Sequence, residues 1–367
     1  MAGMKQLHDL GQSIWLDFIR RNAVRGGELK RMVDDGLRGL TSNPSIFEKA
    51  IAGGSEYDDE LRAAIAANGE AGPVELFERL AITDIREAAD LLRSVYDESA
   101  GDDGYVSLEV SPHLAHDSAG TSAEAQRLWH AVERPNLMIK VPATDAGEVA
   151  ITELIAAGIN VNATLMFSLG HYDAVAQAYL RGLERAAQPA RIASVASFFV
   201  SRVDTLVDSK LDTMGTARAQ ALRGRAAVAN AKLAYQRFLE IFHGSAFEPL
   251  RSRGARVQRV LFGSTSTKDD AYSDVKYVEE LIGPETVNTV PPETLEAFLN
   301  HGVARITLTD DIEGARRTVR ELEDIGISMN AVTDALQVDG VKKFAEAYDK
   351  LIGTLEQRRE EILQPAS

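Results

Sequence analysis

LMIKVPATDAGEVAITELIAAGINVNATL, residues 137–165, sets two short apolar runs on either side of a stretch with a different rhythm. LMIKVPA (137–143) and INVNATL (159–165) have strand length, whereas residues 146–157 repeat their apolar positions at helical spacing. Asp145 with Glu148 fits a capping box that opens the helix, and Gly158 fits its stop. Strand, helix and strand in that order make a crossover unit, which implies parallel pairing.

The same alternation runs along the chain. Further strands are expected at SIWLDFI (13–19), GLRGLTS (36–42), YVSLEVS (105–111), RIASVASF (191–198), VQRVLFGS (257–264) and TVNTV (286–290). Helical patterns fill 56–68, 74–98, 122–133, 169–187, 202–212, 216–242, 270–282 and 293–300. Eight strand-then-helix units predict an α/β protein, a (β/α)₈ TIM barrel, since such barrels run from about 200 to beyond 400 residues. The expected organisation is one domain over 1–367 with additional C-terminal helices over about 310–363, in 311–325 and 329–363. A doubly wound open sheet is the alternative, but no G-x-G-x-x-G follows the first strand.

Composition narrows the function. With 55 Asp and Glu against 40 Lys and Arg, the net charge of −15 repels nucleic acid and anionic membrane surfaces, so an anionic substrate needs a local cationic pocket. There is no cysteine, hence no thiolate nucleophile, zinc–thiolate site or disulfide. The N-terminus lacks the apolar core of a signal peptide and no stretch approaches the roughly 18 unbroken apolar residues of a membrane span. A cytoplasmic protein is expected, without nucleic-acid or membrane partners, as monomer or homodimer.

Alternate strand residues face opposite sides, so each strand can be read as two faces. In YVSLEVS, Val106, Leu108 and Val110 oppose Ser107, Glu109 and Ser111; in INVNATL, Ile159, Val161, Ala163 and Leu165 oppose Asn160, Asn162 and Thr164. Lys140 shares a face with Met138 and Pro142, Asp17 with Trp15, and Ser197 with Ala193 and Val195. If the apolar faces meet the outer helices, Asp17, Glu109, Lys140, Asn162, Thr164 and Ser197 point into the barrel near the carboxyl ends of their strands, where barrel enzymes build their sites. Singly, each also suits a structural role: Asp17 could pair with Arg20 or Arg21, and Glu109 could balance Lys140. Their convergence from five strands favours a site.

With no cysteine and no G-x-S-x-G elbow, the amine of Lys140 is the nucleophile at hand. An amine condenses with a carbonyl to a Schiff base, an electron sink for making and breaking adjacent carbon–carbon bonds, and two acids can serve its proton transfers. Two other readings stay open. One is a metal-dependent aldolase using His113, His116 and Asp117 of SPHLAHD; its ligand set is thin, with seven histidines and no H-E-x-x-H. The other is a non-enzymatic regulator that binds sugar phosphates, which does not explain an amine flanked by acids.

GLTSNPSIFEKAI (39–51), SLEVSP (107–112), LMIKVPAT (137–144), INVNATLMFS (159–168) and VASFFVSRVD (195–204) come in order and at barrel spacing. Through them the chain resembles the transaldolase family over nearly its whole length. The resemblance implies a barrel that needs no cofactor or metal and passes a dihydroxyacetone unit from a ketose phosphate (sedoheptulose 7-phosphate or fructose 6-phosphate) to an aldose phosphate (glyceraldehyde 3-phosphate or erythrose 4-phosphate), in the pentose phosphate pathway. It implies Lys140 as the Schiff-base lysine, Glu109 as a proton shuttle through a water held by Thr164, and Asp17 as acid and base at the cleaved bond. Asn43, Asn162 and Ser197 would hold the dihydroxyacetone hydroxyls; Phe199 and Arg202 match the end of the sixth strand, with Arg202 a phosphate ligand. The match loosens at the seventh strand, where FGSTSTKD (262–269) keeps Ser264 but puts Lys268 in place of an arginine. A similar barrel could release dihydroxyacetone as a simple fructose-6-phosphate aldolase, by the same Schiff-base chemistry.

Overall fold

The structure, a computed structural model, describes residues 3–363. Eight parallel strands close into a barrel in sequence order: β1 Gln12–Asp17, β2 Gly39–Thr41, β3 Tyr105–Glu109, β4 Leu137–Pro142, β5 Val161–Met166, β6 Ser194–Phe199, β7 Arg259–Gly263 and β8 Thr286–Val290. This is the (β/α)₈ barrel that the alternation predicts. The open-sheet alternative falls because β1 pairs with both β2 and β8, which leaves no edge.

The two faces of each strand separate as expected. Leu16, Val106, Leu108, Ile139, Val141, Val161, Ala163, Ala196 and Phe198 join the continuous apolar layer between strands and helices. Each large side chain buried there stabilises the fold by roughly 1.5–3 kcal/mol. Trp15, Tyr105, Met138, Ala193, Val195, Leu261 and Val287 form a separate cluster inside the barrel, toward the amino ends of the strands. Gly39 belongs to that packing, since a Cβ there would lie 2.5 Å from the Trp15 ring. The indole nitrogen donates to Asp103 Oδ1 at 2.8 Å, so a buried acid anchors the plug from below. Above the plug the interior turns polar.

Several boundaries move for local reasons. The helix after β4 spans Asp145–Ala156 and its cap is Thr144, whose Oγ1 accepts from the Gly147 amide at 3.0 Å; the expected Asp145–Glu148 box lies one residue too late. Gly158 ends it as predicted, at φ +86°. In β5 the pairing with β6 shifts between Ala163 and Met166, where Leu165 takes φ +59°, a bulge that simple alternation does not foresee. The expected helix 74–98 divides into Pro73–Leu91 and Arg93–Glu98 at buried Leu92, whose ψ is 0°. The expected helix 216–242 divides into Ala217–Gln220 and Ala226–Phe242 around Gly224, at φ +66° with room for no Cβ beside Tyr272. Of 270–282 only Lys276–Glu279 is helical, because Asp269, Thr267 and Ser273 side chains bond the loop backbone instead.

After β8 come helices Pro292–His301, Ile312–Asp324 and the long C-terminal helix Met329–Leu363. The last packs against Pro44–Ala52 and Pro73–Leu91 and reaches the barrel mouth. No helix among the described residues is long and apolar enough to cross a membrane.

Candidate active site

Register places the charged pair. Glu109 on β3 sits opposite Lys140 on β4, and Lys140 opposite Asn162 on β5, so three adjacent strands present an acid, an amine and an amide at one level. All three are buried. Lys140 Nζ donates to the Ser42 carbonyl at 3.1 Å and lies 3.4 Å from Glu109 Oε2. The second distance is an ion pair but a poor hydrogen bond. Neither Glu109 oxygen nor the Thr164 hydroxyl has a hydrogen-bond partner among the described residues. Burial pushes the Glu109 carboxyl up to about 7, against the pull of Lys140. A carboxyl raised toward neutrality in this way suits proton transfer in either direction.

Asp17 ends β1 opposite Thr41, whose hydroxyl donates to Oδ1 at 2.7 Å. Burial raises its pKa; Lys140, Thr41 and Arg202 oppose the rise and Glu293 adds to it. The alternative pairing with Arg20 or Arg21 does not occur, since Arg20 bonds Glu56 and Arg21 is held by Asp84 and Glu60. Thus Asp17 is kept for the cavity. Ser197 Oγ donates to Asn162 Oδ1 at 2.6 Å, and Asn162 Nδ2 donates to Ser107 Oγ at 3.0 Å, a chain that fixes the amide beneath the mouth.

A cavity of about 300 Å³ opens at the carboxyl ends of the strands, and Asp17, Asn43, Lys140, Ser197, Phe199, Arg202, Ser264 and Lys268 line it. Glu109, Asn162 and Thr164 lie behind that wall. Asn43 has a second duty: its Oδ1 caps helix Pro44–Ala52 by accepting from the Ile46 amide at 3.0 Å. Arg202, in the first turn of helix Ser201–Met214, stacks on Phe199 at 5.3 Å and has no ion-pair partner among the described residues. Burial lowers its pKa, with Asp339 and Asp17 opposing. Ser264, at φ +54°, meets Ser201 hydroxyl to hydroxyl at 3.0 Å. Lys268 donates to Ser266 and, among the described residues, forms an ion pair with neither Asp269, which is taken by Arg223, nor Asp270.

Sequence reasoning missed Lys49, Thr41, Thr289, Glu293 and Phe344, which also line the cavity. Thr41 and Thr289 were reachable by alternation, from Gly39 along β2 and from Val287 along β8. Phe344 was not, because nothing in a helical pattern says which barrel end it crosses. The metal alternative loses two of its three residues to other work: His113 pairs with Asp349 at 2.6 Å, and Asp117 caps helix Ser118–Val132. No group of three or more metal-ligating side chains occurs among the described residues.

A model of the transaldolase/fructose-6-phosphate aldolase family matches residues 14–355. The chain belongs to that family. It is 48% identical to a protein named transaldolase from Parafrankia sp., over 99% of this chain and all of that one. It is 48% identical to a transaldolase from Thiobacillus denitrificans, over 96% and 99% of the two chains. A protein named transaldolase 1 from Streptomyces coelicolor is 47% identical over 96% of this chain and 94% of its own. The family match spans every residue named above as lining the cavity.

Proposed function

We propose that the chain is a transaldolase, which moves a dihydroxyacetone unit from a ketose phosphate to an aldose phosphate through a Schiff base on Lys140, in the pentose phosphate pathway. The observation that carries this reading is the buried Lys140 amine at the floor of a cavity, 3.4 Å from an acid pushed up to about 7, with the Arg202 guanidinium lining the same cavity. The Lys140 amine adds to the ketose carbonyl. The carbinolamine then loses water, with Glu109 supplying the proton through a water shared with Thr164; the orphaned oxygens of both residues suit that bridge. Asp17 takes the proton of the hydroxyl beyond the scissile bond, the bond's electron pair passes into the imine as an enamine, and the shortened aldose leaves. An incoming aldehyde is attacked by the enamine and the steps reverse.

Ser197, oriented by Asn162, and the Asn43 amide nitrogen bind the dihydroxyacetone hydroxyls. Arg202 with Ser264 and Lys268 binds phosphate, helped by the amino end of helix Ser201–Met214. On this account Arg202→Ala raises KM for phosphorylated donors by roughly a hundredfold, and Lys268→Ala by roughly tenfold, because an exposed amine lacks the guanidinium fork. Both leave unphosphorylated ketoses nearly unaffected. Equal losses on both substrate sets in steady-state kinetics would give these residues to the pocket's shape instead of phosphate.

Transfer and simple cleavage share every step up to the enamine. Fructose 6-phosphate assayed with and without erythrose 4-phosphate separates them: turnover that depends on the acceptor supports the transferase, and turnover indifferent to it supports the lyase.

A further inference from the structure

The C-terminal helix lays Gln337, Gly340 and Phe344, spaced three and four residues apart on one face, across the barrel mouth. Gln337 Nε2 donates to the carbonyls of Ala143 at 2.6 Å and Leu165 at 3.2 Å, at the carboxyl ends of neighbouring strands. Gly340 fits closely, for a Cβ there would lie 3.0 Å from Leu165 Cδ2 and 3.8 Å from Arg202 Nη1. One turn on, Phe344 is buried, lines the cavity, and holds its ring centroid 5.7 Å from Lys140 Nζ. Beyond it, Lys350 pairs with Glu48 at 2.7 Å and Arg358 donates to the Gly54 carbonyl at 3.0 Å, which pins the helix to the segment after β2. One fixed face therefore spans both the reactive amine and the guanidinium.

We propose that Phe344 is a specificity-determining residue, whose ring keeps water from the Lys140 enamine and so favours transfer over release of free dihydroxyacetone. The inference rests on Lys140 being the Schiff-base lysine. Once the carbon–carbon bond has broken, the enamine has two fates. In transfer its carbon bonds the acceptor's carbonyl carbon, and the new alkoxide takes the proton held by Asp17. In release that carbon takes a proton instead, and one water adds to the resulting imine to free the ketone and the amine. Both routes end with one water adding to an imine, so they part at the enamine carbon, which water protonates in release and the acceptor captures in transfer; that carbon is two bonds from the nitrogen beside which Phe344 sits. A buried ring there keeps water, the proton donor, from the enamine.

The test measures, with fructose 6-phosphate and erythrose 4-phosphate, the ratio of dihydroxyacetone released to sedoheptulose 7-phosphate formed, in wild type, Phe344→Ala and Phe344→Leu. The ratio is expected to rise roughly tenfold in Phe344→Ala and roughly threefold in Phe344→Leu, which keeps apolar bulk but covers less of the enamine. A merely structural role lowers both products together and leaves the ratio alone. Should Phe344→Ala not fold, Phe344→Leu carries the comparison, and an unchanged ratio in the folded variants overturns the proposal. Borohydride trapping in the same samples separates the two claims: a wild-type enzyme without an adduct on Lys140 removes the Schiff-base reading, whereas an adduct with a fixed ratio removes only the role of Phe344.

Discussion

Lys140→Met is expected to lose on the order of a millionfold in turnover of fructose 6-phosphate, the scale seen when a covalent nucleophile is deleted. The variant should stay folded. Methionine fills the space of the lysine stem, and Glu109, already pushed up to about 7 by burial, takes up a proton instead of remaining an uncompensated buried anion. Thermal unfolding near that of the wild type, together with activity indistinguishable from background, is the expected pair of results. Turnover within tenfold of wild type would mean that the amine is not the nucleophile, whatever its position.

The next largest effects belong to the two acids, and they differ in kind. Asp17→Asn and Glu109→Gln should each lower turnover by roughly a hundred- to ten-thousand-fold, the range for a lost general acid or base. In Asp17→Asn the imine still forms and then stalls before the bond breaks, so borohydride traps it readily. In Glu109→Gln imine formation itself slows. The sign of the pH dependence follows from burial: the Glu109 pKa is raised, so its acid form persists up to about 7 and is lost above it. Dehydration of the carbinolamine, which consumes that proton, should therefore slow as pH rises through about 7 in the wild type. Glu109→Gln should flatten that limb. Single-turnover trapping across pH checks both points, and wild-type trapping rates in both variants would assign the proton shuttle elsewhere.

What the sequence reveals of this molecule depends on whether an interaction is local. Alternation along β3 and β4 is local, and it separated Val106 and Leu108 from Ser107 and Glu109 correctly. The rule that barrel sites gather at the carboxyl ends of strands then brought Asp17, Lys140 and Ser197 into one cavity from chain positions far apart. Capping is also local, but competing donors blur it: Thr144 and Asp145 are both good caps, and the choice fell on Thr144 because Gly147, packed under Pro142, presents its amide there. The bulge at Leu165 depends on pairing with β6, which alternation within one strand does not record. Phe344 lies about two hundred residues from Lys140 and meets it only because Gln337, Lys350 and Arg358 tie the last helix over the mouth. The partners of Asp17 show the same limit in reverse, since Arg20 and Arg21 are near in sequence yet spent on Glu56 and Asp84.

Three lysines, Lys49, Lys140 and Lys268, line the same cavity, and the mechanism requires that Lys140 carry the substrate. Reduction of the wild-type enzyme with borohydride in the presence of fructose 6-phosphate, followed by digestion and mass spectrometry of the peptides, reads this directly. A reduced dihydroxyacetone unit on the peptide containing Lys140, with turnover lost in proportion, is the predicted result. An adduct on Lys49 or Lys268, or inactivation with no adduct on any lysine, would contradict it.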